Sequence, residues 1–125
     1  MFNDWPAHAK SLSPALADLR GGTADVMKSF SALAASGMKA GALDTKTKEL
    51  IALAISVATR CDDCIAFHAK AAVECGATRE EMMETLGMAI YMGAGPSVMY
   101  ASHAAEAFTQ FAAEKAAADA AKAGT

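Results

Sequence analysis

The chain has 125 residues, 54% of them apolar and only 6% aromatic, with a formal net charge of −3. That length suits one domain with a core of its own, and the expected division is a single domain over 1–125, with a core at about 23–111 and a polar helical tail at 112–125. The charges are interspersed Asp, Glu, Lys and Arg with no basic stripe to neutralise a row of phosphates, which argues against a nucleic-acid partner.

Alanine, the best helix former, dominates the apolar residues, and β-branched and aromatic residues never alternate over a strand-length run, so the expected class is all-α. Met1-Phe-Asn-Asp-Trp-Pro-Ala-His is polar and no apolar segment reaches membrane-spanning length; the expectation is a soluble, cytoplasmic protein with no membrane partner. Ser13-Pro14 offers an N-cap followed by proline in the first turn, and Arg20-Gly21-Gly22 a stop, which bounds a short first helix. A second helix is predicted from about Thr23 to Ser36, with Val26, Met27, Phe30, Leu33 and Ala34 spaced as one buried face.

Asp44 can cap the next helix, in which Leu50, Ile51, Leu53, Ala54, Ile55, Val57 and Ala58 are apolar almost all round, so this helix should be central. The pattern breaks at Thr59 to Asp62 and resumes through Cys64, Ile65, Phe67, His68, Ala71, Ala72 and Cys75 to a stop at Gly76. Thr78-Arg-Glu-Glu81 is a capping box opening a helix through Met82, Met83, Leu86, Ala89 and Ile90. Gly93-Ala-Gly95-Pro96 ends that helix and begins the last one; with no strand before it and no lysine in the required place, it reads as a turn rather than a phosphate loop. From Ala112 onward no large apolar residue occurs, which predicts a solvated or fraying helix end.

The chemistry concentrates at Cys61-Asp-Asp-Cys64 and His68. Residues four apart share a helix face, so Cys64 and His68 should be neighbours if a helix begins near Asp62. His68 can then take the Cys64 proton, while the free N–H groups of the first turn favour a thiolate. Cys61, at the entry to that turn, can attack an oxidised Cys64 and close a disulfide. On a continuous helix Glu49 would lie about 18 Å from Cys61, so it joins the site only if the chain reverses near Thr59 to Asp62. Cys75 reads as a small buried hydrophobe rather than a third working thiol.

Glutamate, eleven residues, Cys-x-x-Cys, three residues and His resembles the core signature of the alkylhydroperoxidase D and carboxymuconolactone decarboxylase superfamily, over about Asp44 to Ala77. The resemblance implies an all-helical subunit assembled as homo-trimers or homo-hexamers, whose thiol pair reduces hydrogen or organic peroxides. It further implies Cys64 as the peroxidatic thiol, Cys61 as its partner, and Glu49 and His68 as members of a proton relay. The implied reductant is a dithiol such as a lipoyl-bearing protein, and no cofactor or metal is called for. Asp63 stands where that branch often has His; a carboxylate there opposes thiol ionisation, Asp62 adds a second, and Arg60 offsets part of this.

Other readings remain. Cys61, Cys64 and His68 could hold zinc if His103 or Cys75 supplied a fourth ligand. A carboxymuconolactone-decarboxylase-like lyase would need acid/base groups but no thiol pair, and a non-catalytic scaffold would need neither. His8 and His103 carry little weight as isolated histidines. Met82, Met83, Met88, Met92 and Met99, with Tyr91 and Tyr100, read as core or subunit contacts, or as the lining of an apolar pocket beside the thiols.

Overall fold

In the computed structural model, which describes residues 1–124, the chain runs through α1 Trp5–Ser11, α2 Ser13–Gly22, α3 Ala24–Met38, α4 Thr45–Ala58, α5 Asp62–Glu74 and α6 Arg79–Ala123. α4, α5 and α6 pack on one another, α1 lies across α5 and α6, and α2 and α3 touch only their neighbours in the chain. The expected all-α class is therefore the observed one.

The local signals account for most boundaries. Asp44 caps α4 by accepting from the Thr47 N–H at 2.7 Å. Thr78 and Glu81 form both halves of a capping box at the start of α6. Lys46 reaches Glu81 at 2.8 Å, which ties the first turns of α4 and α6 together. α5 ends with Gly76 at φ 84° while the Gly76 and Ala77 N–H groups bond back to Val73 and Ala72, the Schellman arrangement that suits glycine. Within α6, Ala94 has φ 57° and ψ −144°, so the helix is interrupted there. Pro96 has no N–H to continue the ladder and its ring would meet a preceding carbonyl, and this is the break expected from Gly93-Ala-Gly95-Pro96.

The core is built from Leu53 and Val57 of α4, Ile65, Ala66, Ala69 and Ala72 of α5, and Met82, Leu86, Ala104, Ala107, Phe108 and Phe111 of α6. Five of these are alanines, which lets the three helix axes approach closely, and the alanine-rich composition thus serves packing as well as helix propensity. Of the methionines, Met82 is fully buried, whereas Met83, Met88, Met92 and Met99 are exposed in the isolated chain.

Three expectations differ from what is found. The first helix does not start at Ser13-Pro14: Asp4 caps α1, Pro6 sits in its first turn, and Trp5 and Ala9 are buried with the core. Ser13 is the first residue of α2 rather than its cap, because Leu12 already has helical φ and ψ and joins α1 to α2 almost directly. α3 forms over nearly the predicted range but buries no residue, with Val26, Phe30 and Leu33 each more than half exposed. The apolar stripe is real, and among the described residues only α2 and α4 touch α3.

Candidate active site

The Thr59–Cys61 turn makes the site. α4 ends in a second Schellman arrangement, with the Arg60 and Cys61 N–H groups bonded to Val57 and Ser56 and Arg60 held at φ 58°. A non-glycine residue in that conformation costs about 1–3 kcal/mol, which the packing of α4 against α5 must outweigh. The reversal lays α5 antiparallel on α4 and brings Glu49 to His68, with Oε2 3.0 Å from Nδ1.

Cys61 is the N-cap of α5, its sulfur accepting from the Cys64 N–H at 3.1 Å, and it is joined to Cys64 by a disulfide. Cys64 occupies the third helical position, where backbone N–H groups are free of intrahelical partners and the positive end of the helix dipole favours a negative sulfur after reduction. His68 follows one turn later on the same face. Glu49 is 6% exposed, so a carboxylate there depends on its imidazole partner. With Nδ1–H donated to Glu49, a neutral His68 carries its lone pair on Nε2, the atom that can take up or return a proton. Taken together, the arrangement can shuttle two electrons through a sulfur pair and a proton through an oriented imidazole.

A cavity of about 510 Å³ opens beside Glu49 and His68, with neither Cys61 nor Cys64 in its lining. Its walls are Ala34, Gly37 and Met38 of α3 with Ile51, Ala52 and Ile55 of α4, and Glu49, His68 and Lys48 are its polar groups. None of the methionines or tyrosines expected around such a pocket lines it; Met38 does, and Met88 lines a smaller neighbouring cavity. Both exposed isoleucines of α4 therefore belong to a pocket wall rather than to the core.

Cys75 is exposed and not buried as expected, because it is the C-cap of α5, at the opposite end from the disulfide. Desolvation by its surroundings and then the nearby carboxylates of Glu49, Glu74 and Asp44 push its thiol up. Among the described residues, no group of three or more His, Cys, Asp or Glu is arranged to hold a metal ion, and no helix is long and apolar enough to cross a membrane.

Two histidines given little weight in the sequence stand at the site. His8 of α1 places Nε2 2.7 Å from Asp63 Oδ1, and His103 of α6 places Nδ1 2.9 Å from Asp62 Oδ1. Asn3 donates to His8 Nδ1 at 3.1 Å. These partners are 41 to 55 residues apart in the chain, so no local pattern could pair them. The one available signal was the Asp4-Trp5-Pro6 cap and proline, the same type of signal that located α2.

The description of the family model that matches residues 24–107 is the carboxymuconolactone decarboxylase family. The chain is similar to a carboxymuconolactone decarboxylase family protein from Legionella pneumophila, solved in its apo form, at 51% identity over 86% of this chain and 96% of that one, with a TM-score of 0.84. It is also similar to a member of the same family from Thermotoga maritima, at 28% identity over 89% and 95% of the two chains, with a TM-score of 0.79. An uncharacterized protein of Cupriavidus necator is 44% identical over 62% of this chain and 69% of its own length.

Proposed function

This chain belongs to the carboxymuconolactone decarboxylase family, in the superfamily that includes the alkylhydroperoxidase D-like proteins, and from that premise we propose that it is a thiol-dependent peroxidase acting through Cys61 and Cys64. The observation that carries the reading is the disulfide at the N-terminus of α5, next to a buried Glu49 bonded to His68. The suggested part in an antioxidative response attached to the Thermotoga maritima protein is in keeping with it.

In the proposed cycle the Cys64 thiolate attacks the distal oxygen of a hydroperoxide and the O–O bond breaks. The leaving alkoxide takes a proton by way of His68, oriented by Glu49, and departs as an alcohol, or as water from hydrogen peroxide. Cys64 is left as a sulfenic acid, from which the Cys61 thiol displaces water to form the disulfide. An external dithiol, such as a lipoyl group, restores the pair through a mixed disulfide and leaves as its own disulfide. The cavity lined by α3 and α4 suits the apolar body of an organic peroxide. No cofactor enters this cycle.

The exposed faces of α3 and of α6, with Phe30, Leu33, Met88, Tyr91 and Met92, support a homo-oligomer in which copies of the chain cover them, as a trimer or hexamer.

The family's name speaks more directly for the second reading, a lyase that decarboxylates a carboxylated lactone with Glu49 and His68 as its acid/base pair and no role for the sulfurs. One experiment separates the two. Wild type, and Cys61→Ser with Cys64→Ser, are assayed for peroxide consumption with dihydrolipoamide and for turnover of a carboxylated muconolactone. The peroxidase reading expects the first activity in wild type and its loss in the double variant. Lactone turnover untouched by the double substitution, with no peroxide consumption, would make the protein a lyase.

A further inference from the structure

Asp62 and Asp63 place two carboxylates in the turn where Cys64 would have to ionise, an arrangement that opposes a thiolate. Neither is left bare. The His8 imidazole donates to Asp63 through Nε2–H, since Asn3 donates to the other ring nitrogen, and His103 is bonded to Asp62 through Nδ1. Ion pairs and hydrogen bonds at a protein surface are usually worth little, because two mobile side chains must be held in one geometry. Here that ordering is done by other contacts.

Glu106 accepts from the Phe2 N–H at 2.9 Å, the Asn3 N–H at 2.8 Å and the Trp5 indole N–H at 3.1 Å. Gln110 accepts from the Trp5 N–H and donates to the Asn3 carbonyl. Phe2 stacks on His103 with centroids 4.1 Å apart and planes within 5°. The N-terminal segment is thus a strap over the start of α5, and it fixes one imidazole on each aspartate before any chemistry occurs.

We propose that His8 and His103 are positioning residues of the thiol site, which draw the negative charge of Asp63 and Asp62 away from Cys64 and so allow it to ionise near neutral pH. The reasoning rests on Cys64 being the thiol that reacts. The titratable and charged groups around this turn include His8 from α1, Glu49 from α4, Arg60 from the turn, Asp62, Asp63 and His68 from α5, and Tyr100, His103 and Glu106 from α6. Of these, only His8 and His103 bond to the carboxylates flanking Cys64.

The test is the pH dependence of iodoacetamide alkylation at Cys64 in the reduced protein, followed by mass spectrometry. The proteins are wild type, His8→Ala, His8→Gln, Asp63→Asn, and His8→Ala with Asp63→Asn, and Trp5 fluorescence reports whether the strap stays docked. The expected result is a midpoint raised by about one pH unit in His8→Ala, which at the wild-type midpoint is a roughly fivefold smaller thiolate fraction. His8→Gln, which keeps an N–H donor, should reverse most of the shift, and His8→Ala should have no effect in the Asp63→Asn background. A low wild-type midpoint left unmoved by His8→Ala, or an effect that persists without the Asp63 charge, would overturn the proposal and leave the peroxidase reading standing. A wild-type midpoint above about pH 9 would overturn both.

Discussion

Glu49 and His68, nineteen residues apart in the chain, lie 3.0 Å apart through Oε2 and Nδ1, and the carboxylate of the pair is buried. A buried carboxylate with an imidazole partner fixes which nitrogen of the ring faces outward, and a proton relay requires that orientation. Replacing Glu49 by Gln keeps the shape while removing the charge that holds the ring. The rate of disulfide formation after a peroxide pulse should fall about 10²-fold, within the range for loss of general acid/base assistance. Stopped-flow measurement on prereduced protein checks this; an undiminished rate would remove Glu49 from the relay.

The two sulfurs have different places, Cys61 at the N-cap and Cys64 inside the first turn, and so should fail differently. Cys61→Ser treated with limited peroxide should accumulate a dimedone-reactive sulfenic acid on Cys64, whereas Cys64→Ser should form none on Cys61. The opposite pattern in the mass spectrum would exchange the assigned roles.

Trp5 is fully buried, its indole N–H is bonded to Glu106, and it is the largest side chain that α1 puts into the core. Trp5→Ala should cost about 3–5 kcal/mol of folding stability, the usual range for an aromatic truncated to alanine in a core. Urea denaturation followed by far-UV circular dichroism measures it, and a loss below 1 kcal/mol would mean that the strap packs independently of the core.

The N–H groups of Phe2 and Asn3, followed by the Trp5 indole, hold the Glu106 carboxyl below its ordinary value of 4.5. A carboxyl depressed in the folded state contributes stability that is present above its unfolded value and lost as pH falls through its folded one. Docking of residues 2–11 should therefore be intact above about pH 4.5 and weaken below it. Trp5 emission should shift to the red over that acid range in wild type, and Glu106→Gln should flatten the transition.

Gly93 sits against Ser97 across the break in α6. A Cβ at 93 would overlap the Ser97 hydroxyl and lie 2.7 Å from its Cβ, and Ser97 is buried. Gly93→Ala should destabilise by about 1–3 kcal/mol through overpacking, and the added Ser97→Ala should recover only part of that because the Cβ contact remains. Thermal denaturation of the two variants decides the order.

If copies of this chain cover α3, light scattering at micromolar concentration should return a trimer or hexamer, and Phe30→Glu with Leu33→Glu should lower the mass toward that of one chain. A monomeric wild type would leave the α3 stripe unexplained.

Much of this was legible along the chain. Asp44, Gly76, Thr78 with Glu81, and the Gly93 to Pro96 break are local signals that act within one turn of backbone, and each marked a boundary found in the fold. The spacing of Cys61, Cys64 and His68 likewise fell on one helix start, because a helix converts spacing directly into a face. The Arg60 turn was harder, since its left-handed conformation is held by packing in a residue that does not favour it. The α3 stripe was read correctly as a pattern and incorrectly as buried, because periodicity shows which face is apolar and not what lies opposite.

The sequence alone therefore determined α2 to α6, the caps at Asp44 and Thr78 and the order of sulfur, sulfur and imidazole, all of which depend on contacts a few residues long. Only the tertiary structure decided that Glu49 reaches His68, that His8 and His103 rest on Asp63 and Asp62, and that Trp5 anchors the N-terminal strap. Those contacts join residues 19 to 101 positions apart, and they exist because burial of apolar faces brings α1, α4, α5 and α6 together, a cooperative outcome that no short window of residues contains.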